Sequence, residues 1–290
     1  MNYSCLMVGS KPGNPRARSL GAELRQARNE AGITIRELGR RLNMGHAWVG
    51  RTERGNRTAT PEDVTGIAVA LGLSTSERER LVEAARDAHH PNWIHPGTPG
   101  IHQELVTLIE YERTASRIVE VSPLLIPGLF QIGDYARAVM AESPPEEIET
   151  RVAMRASRRD ILTRRGAPEV EAIIMQRAID EPIADAVTMS DQLRHLEKLV
   201  ELPNVTMRVL PATMNRWTPA HSGEFMLFDF PKAPPMVHFE HLCSAVFLTD
   251  DKAVEKHRQS LGSLRDAAMS PEETKDFIAD RASSNEENTS

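Results

Sequence analysis

Apolar positions recur at helical spacing through the first third of the chain. Leu20, Leu24, Ala27 and Ala31 mark one face of a helix that Gly32 ends. Thr34 followed by Glu37 is a capping box that opens a second helix, with Leu38 and Leu42 on its inner face. Asn43 and Gly45 tolerate a sharp turn. A third, short helix runs from about His46 to Glu53 and stops at Gly55, and its one aliphatic residue, Val49, faces inward. Thr60 and Pro61 cap and start a fourth helix that buries Val64, Ile67, Ala68 and Leu71, with Asp63 placed to return the cap. A fifth follows Ser74, with Leu81, Val82 and Ala85 inward. Five helices in roughly 70 residues can close one small core.

The pattern then breaks. HHPNWIHPGTPG, residues 89–100, carries three prolines and two glycines and reads as a linker, anchored to a domain by Trp93 and Ile94. Leu105, Leu108 and Ile109 start a helical stretch that continues through Ala115 and Val119 until Pro123, Pro127 and Gly128. Helices around Asp134 to Ala141 and from Pro145 to Arg164 follow. VEAIIM, 170–175, is a buried strand, and Leu193, Leu196 and Val200 line a helix over 190–201. Val205, Met207 and Val209 alternate with Thr206 and Arg208 as a half-buried strand. EFMLFDF and PMVHFEH are two more strands, and helices over 251–268 and 271–281 close the chain, the last opened by Ser270, Pro271 and Glu273. The predicted fold is an N-terminal all-α five-helix helix-turn-helix domain plus a C-terminal α+β domain. Its expected parts are a flexible basic arm (1–18), the helical domain (19–88), a linker (89–102), the α+β domain (103–281) and a disordered tail (282–290).

The outer face of the third helix is lean and basic. His46, Ala47, Gly50 and Arg51 fall on or near it, with Trp48 at the flank. A helix this lean can lie in the major groove of DNA. Arg51 is the candidate for a base-edge contact, because its fork matches guanine O6 and N7. His46, Ala47 and Gly50 would set the rest of the readout. Arg36, Arg54, Asn56 and Arg57 are candidates for phosphate contacts. Trp48 either packs on the sugar-phosphate backbone or is a half-buried flank residue.

Residues 20–73 resemble the helix-turn-helix domain of the lambda-repressor/Cro class, the XRE family. The likeness rests on Leu20, Leu24 and Arg28, on Glu37, Leu38 and Leu42, and on Val49, Arg51, Glu53, Arg54 and Gly55. Glutamine is common in that class at the start of the second and third helices. Ile35 and His46 stand there instead, so the contacts of such glutamines do not carry over. Gly45 replaces the serine that often caps the recognition helix. Residues 104–280 resemble the domain of unknown function that follows this helix-turn-helix in many actinobacterial regulators. The similar stretches are YERTASRI, PLLIPGLFQIGDYARAVM, RVAMRASRRDIL, DQLRHLEKLVELPNVTMRVLP, GEFMLFDFP and LRDAAMSPEET. An acidic residue usual after the central strand is replaced near Gln176 and Arg177. The resemblance implies a regulator encoded beside a small partner protein, in pairs some of which are antitoxin-like.

Charge sharpens the division. The chain carries a net charge of −6, yet residues 1–60 hold 11 Lys and Arg against 4 Glu, a net of +7. Basic charge thus collects where phosphates would bind, and the acidic remainder points away from a duplex. Arginines crowd the helix from Pro145, at 151, 155, 158, 159, 164 and 165. They read either as a nucleic-acid surface or as a solvated face paired with acids. No apolar run approaches the ~20 residues of a membrane span. The first residues lack a signal-peptide core, and two cysteines, Cys5 and Cys243, make no disulfide framework. These features predict a cytoplasmic protein.

No phosphate loop, dinucleotide fingerprint, HExxH or GxSxG is present, so no enzymatic reaction, cofactor or metal is expected. In HFEHLC, His238 and Glu240 share one face of a strand and His241 and Cys243 the other, so neither face supplies a ligand set. The expectation is a regulator that binds a double-stranded operator as a homodimer. Its C-terminal domain receives either a small protein partner or a small-molecule effector.

Overall fold

The computed structural model describes residues 15–86, 92–96, 102–231, 233–241 and 244–287. The chain divides into two compact units. The first takes Met1–Tyr111, Phe230–Met236 and Cys243–Asp250, and the second takes Glu112–Asp229, Val237–Leu242 and Asp251–Ser290.

Five helices form the body of the first unit: α1 (Pro15–Glu30), α2 (Ile35–Arg41), α3 (His46–Glu53), α4 (Pro61–Leu71) and α5 (Thr75–Arg86). Leu20, Leu24, Leu38, Val49, Val64, Ile67, Leu71, Leu81 and Ala85 make its core, as the sequence periodicity requires. The Thr60 hydroxyl accepts from Asp63 N–H while the Asp63 carboxylate accepts from Thr60 N–H, a complete capping box. At α2 only half of that motif forms. Thr34 accepts from Glu37 N–H, but the Glu37 carboxylate turns forward to Arg40 and Arg41.

Two glycines set the seat of α3. A Cβ on Gly21 would stand 2.5 Å from the Thr52 carbonyl oxygen, so only glycine lets α1 lie against the end of α3. Gly55, at φ +66°, ends α3 in the left-handed region, and a Cβ added there would stand 2.5 Å from the Arg18 backbone. Arg28 then staples α1 to α3. Its guanidinium donates to both Glu53 carboxylate oxygens, at 2.6 and 3.0 Å, and to the Ile33 carbonyl at 2.8 Å.

The first unit extends past the helical bundle. β1 (Asn92–Pro96) pairs antiparallel with β7 (Ser244–Leu248). α6 (His102–Thr114) contributes Thr107, whose hydroxyl bonds Ser19 at 2.7 Å, and Glu110, which accepts from Arg25 at 2.5 Å. Arg18 of α1 lies over the rings of Phe230 and Tyr111, 3.9 and 4.9 Å from their centroids.

The second unit is a mixed sheet with helices, an α+β arrangement. Its strands are β2 (Arg117–Ser122), β3 (Glu169–Met175), β4 (Val205–Leu210), β5 (Phe225–Asp229) and β6 (Met236–His241), in the order β6-β5-β2-β3-β4. β2, β3 and β4 run parallel, with Val121 opposite Ile173 and Ile173 opposite Arg208. β5 runs antiparallel to β2, with Glu120 opposite Met226. Between β2 and β3 lie α7 (Gly133–Val139) and α8 (Pro145–Arg158). After β3 come α9 (Gln176–Asp180) and the crossover helix α10 (Ala186–Leu199). α11 (Asp251–Arg265) and α12 (Pro271–Glu287) end the unit. Parallel strands need such helical crossovers. Leu193 and Leu196 of α10 are fully buried, and α12 is tied to the sheet by Val209 N–H donating to the Thr274 hydroxyl at 3.0 Å. Glu171 of β3 accepts from Arg117 and Arg265, which holds α11 to the sheet.

Several sequence expectations need correction. Helix α1 begins at Pro15, inside the expected arm, because Ala17 and Arg18 are already buried in the core. Residues 92–96 of the expected linker form a strand, since β7 offers them a pairing edge. The helix expected through Val119 stops at Thr114, and Arg117–Ser122 is a strand between two partners. Ser244–Leu248, which the sequence pattern does not mark as a strand, forms β7. Residues 282–287 of the expected tail continue α12, anchored by Ala282, which is fully buried. The rest of the expected arm, linker and tail lies outside the described residues.

Candidate nucleic-acid interface

The turn before α3 is made by Asn43, at φ +53°, rather than by Gly45, which caps α3 in extended conformation. Asparagine tolerates the left-handed region because its amide can bond locally. Val49, Thr52 and Glu53 face the core, and the Thr52 hydroxyl returns to the Trp48 carbonyl at 3.1 Å. This fixes which side of the eight-residue helix looks out.

His46, Ala47 and Arg51 are exposed on that side, and Arg36, Arg54 and Asn56 are exposed beside it. Arg51, Arg54 and Arg36 make no ion pair among the described residues, so their donors are available to a ligand. Gly50 departs from the expected outer face. It is buried, and the Arg54 guanidinium would stand 3.1 Å from a Cβ added there. Its contribution to the surface is to let Arg54 lie back along the helix.

Trp48 is half-buried against the core, and Arg57 stacks on it with its guanidinium 4.7 Å from the ring centroid. Arg57 also pairs with Asp63 at 2.6 Å. This side chain is committed within the domain, which sets it apart from Arg36 and Arg54. Sequence reasoning did not single out Met44, which is 46% exposed directly ahead of α3. The signal was an apolar residue in a turn with no partner at helical spacing.

Among the described residues no group of His, Cys, Asp and Glu is placed to hold a metal ion. His238 is buried and Glu240 exposed, while Cys243 lies outside the described residues. No helix among the described residues is long and apolar enough to cross a membrane.

Residues 19–81 match the family described as a helix-turn-helix domain. Residues 105–280, more than half of the chain, match the domain of unknown function DUF5753. The chain belongs to the DUF5753 family. No curated protein matches the sequence. Among solved structures it is similar to the clp gene regulator ClgR from C. glutamicum. That match has 26% identity over 27% of this chain and 97% of that one, with a TM-score of 0.22. A DUF5753 chain with a helix-turn-helix at its N-terminal end supports a DNA-binding transcriptional regulator.

Proposed function

We propose that this chain reads a specific operator through α3 and is controlled through its DUF5753 domain by a small protein partner. The observation that carries the first half is the exposed side of α3. It presents small and cationic groups, and Arg51 stands on it without an intramolecular ion pair. A bidentate arginine–guanine contact discriminates by about 1–3 kcal/mol. Arg36, Arg54 and Asn56 flank it as phosphate contacts that set register. His46 and Ala47 complete the readout.

One such module buries little surface, on the order of 600–1,000 Å². Two copies on half-sites about one helical turn apart would supply specific affinity. Footprinting checks this: two protected half-sites are expected at saturation, and one protected half-site with one protomer bound overturns the dimer.

The partner reading rests on the resemblance of residues 104–280 to domains encoded beside a small protein. A partner that prefers the free regulator must lower DNA affinity by the same factor. Titrating the product of the adjacent gene into a full-length complex with labelled operator tests it, and the expected outcome is release of the DNA. An absent complex, with a response to a metabolite instead, shifts the input to a small molecule. A specific feature of the second unit, a buried carboxylate without a partner, favours that second reading.

A further inference from the structure

The second unit holds a group of charges that the fold does not balance. Arg158 of α8 is 6% exposed, and its guanidinium makes a two-pronged pair with Glu112 at 2.8 and 2.5 Å. That pair is electrically closed. Beside it, Arg155 lies within the field of three further carboxylates, Glu120, Glu224 and Glu240. Arg155 donates to the Gln131 side-chain oxygen at 2.7 Å, and the buried Gln131 amide in turn donates to the Ile126 carbonyl at 2.8 Å. The guanidinium is therefore held in place by a neutral group, and none of the three carboxylates pairs with it directly.

The sheet register brings Glu120 near Glu224, and Glu240 lies on β6, the strand next to β5. Glu120 sits in the middle of β2 opposite Met226, and Glu224, two residues before Met226 and just ahead of β5, falls on the same side by the strand alternation. Such diagonal neighbours stand roughly 7–8 Å apart. Glu120 is only 4% exposed, Glu224 is half-buried and Glu240 is exposed, a graded series from solvent to the interior. Among the described residues none of the three carboxylates accepts a hydrogen bond or forms an ion pair. Glu120 is thus a largely buried carboxylate that no side chain answers directly, a costly placement unless something from outside the chain reaches it.

We propose that Glu120, Glu224 and Glu240 form the binding site of a small organic cation, an amine or a guanidine, whose charged group takes its place against Glu120. The chemistry follows from the count. Arg158 answers Glu112 and Arg155 answers one acid, which leaves two negative charges for a ligand when all are ionised. A simple anion is thus excluded by repulsion. A metal ion is not served either, because these carboxylates do not converge as a ligand set. Donors spread over an extended organic cation suit carboxylates carried by neighbouring strands, with Glu120 on β2, Glu224 just ahead of β5 and Glu240 on β6. Without ligand, protons take its place. Burial and then the Glu224 charge push Glu120 well up, and burial and then the Glu240 charge push Glu224 up to about 7. The binding stands on this geometry alone, and only its regulatory consequence rests on the reading of the second unit as the input domain.

Isothermal titration of the full-length chain with putrescine, agmatine and spermidine, each at about pH 7 in two buffers of different ionisation enthalpy, tests the site. The neutral control is 1,4-butanediol. The expected result is saturable binding of at least one amine with release of protons, because the cation displaces them. Glu120→Gln should weaken that binding about tenfold or more. The same variant should raise Tm without ligand, since it replaces an unpartnered acid by a neutral isostere. Glu224→Gln should weaken binding less and keep the fold. Three results overturn the site: no amine binding tighter than about 10 mM, binding unchanged in Glu120→Gln, or a lowered Tm in that variant. Operator affinity measured on the same samples separates the two claims. Amine binding that leaves DNA affinity unchanged keeps the site and removes its role as input. Intact operator binding without amine binding removes the site and keeps the regulator.

Discussion

Both units bury an arginine–glutamate pair, and the surroundings of the two pairs differ. In the first, Arg28 spends its donors on Glu53, Ile33 and Asn29, and the two ends of the staple belong to α1 and α3. Charge is balanced there and every group has a partner, so the pair can only hold α3 in place. In the second, Arg158 and Glu112 make the same fork, but Glu120 lies within reach of their field with no partner of its own. An unbalanced buried charge is tolerated where something outside the chain completes it. The first pair is read as architecture and the second as the edge of a site.

The largest expected effect breaks the first pair. Glu53→Ala leaves Arg28 buried and uncompensated, a loss of about 3–5 kcal/mol. It should appear as lost hydrogen-exchange protection of α1 and α3 amides in the full chain. Glu112→Ala should lower protection of α8 by clearly less, because Glu120 can turn to Arg158. Equal losses in the two variants would show that Glu120 is not available, and the contrast between the units would go.

Next in size is the interface itself. Arg51→Ala should cost about 1–3 kcal/mol in operator binding and relax preference at one base pair. Arg36→Ala should weaken specific and random DNA alike and lower the salt slope by about one. Arg57→Ala belongs with stability, since that side chain pairs with Asp63 and stacks on Trp48. Fluorescence anisotropy on operator and random duplexes separates the cases. Equal loss on both duplexes for Arg51→Ala removes it from base readout.

What could be read from the sequence follows a related divide, between the helical bundle and the strands. Local rules wrote the bundle of the first unit: Thr60 with Asp63, Gly55 after α3 and the spacing of Leu20, Leu24, Leu38 and Val49 each state their structure within a few residues. The strands, β1 and β7 of the first unit as well as those of the second, are set by partners far along the chain. RIVEVS reads as the end of a helix until β3 and β5 flank it, and only then does Glu120 become a buried strand residue. SAVFL lacks a turn signal that would announce β7, and its pairing with β1 lies some 150 residues back. Gly50 lies inward, against the sequence expectation, for a smaller reason. On a short helix with one aliphatic residue, the inner arc is too poorly marked to assign a residue without a side chain.

A smaller effect sharpens the local side of that contrast. Thr60→Ala removes one half of the complete capping box and should cost about 1 kcal/mol. Thr34→Ala removes the one bond of the incomplete motif and should cost less. Thermal unfolding followed through the helical domain compares them, and the reverse order would mean that the returning Asp63 bond adds nothing.

The smallest expected effect is a change of slope. The Glu224 carboxyl is held up at about 7, above the ordinary carboxylate value of 4.5. Below pH ~4.5 it is protonated in both the folded and unfolded states. As pH rises from there, the unfolded chain ionises while the folded chain keeps its proton, so the unfolded state gains. The stability the group contributes is therefore complete in mild acid and is lost as pH rises through about 7. Burial alone would also raise Glu171, but Arg265 and Arg117 hold it below the ordinary range. Its contribution thus changes only in stronger acid, outside this window. Calorimetry between about pH 5 and pH 8 should show wild-type Tm falling across the interval and Glu224→Gln falling less. Glu120 remains in the variant and keeps part of the slope, and the difference between the two chains isolates Glu224 from it. An amine bound at the site should flatten the wild-type profile in the same way, because a cation in place of the protons removes the reason for taking them up. Identical slopes for wild type and variant would mean that Glu224 ionises freely, and the carboxylates would then be a solvated edge rather than a site waiting for its charge.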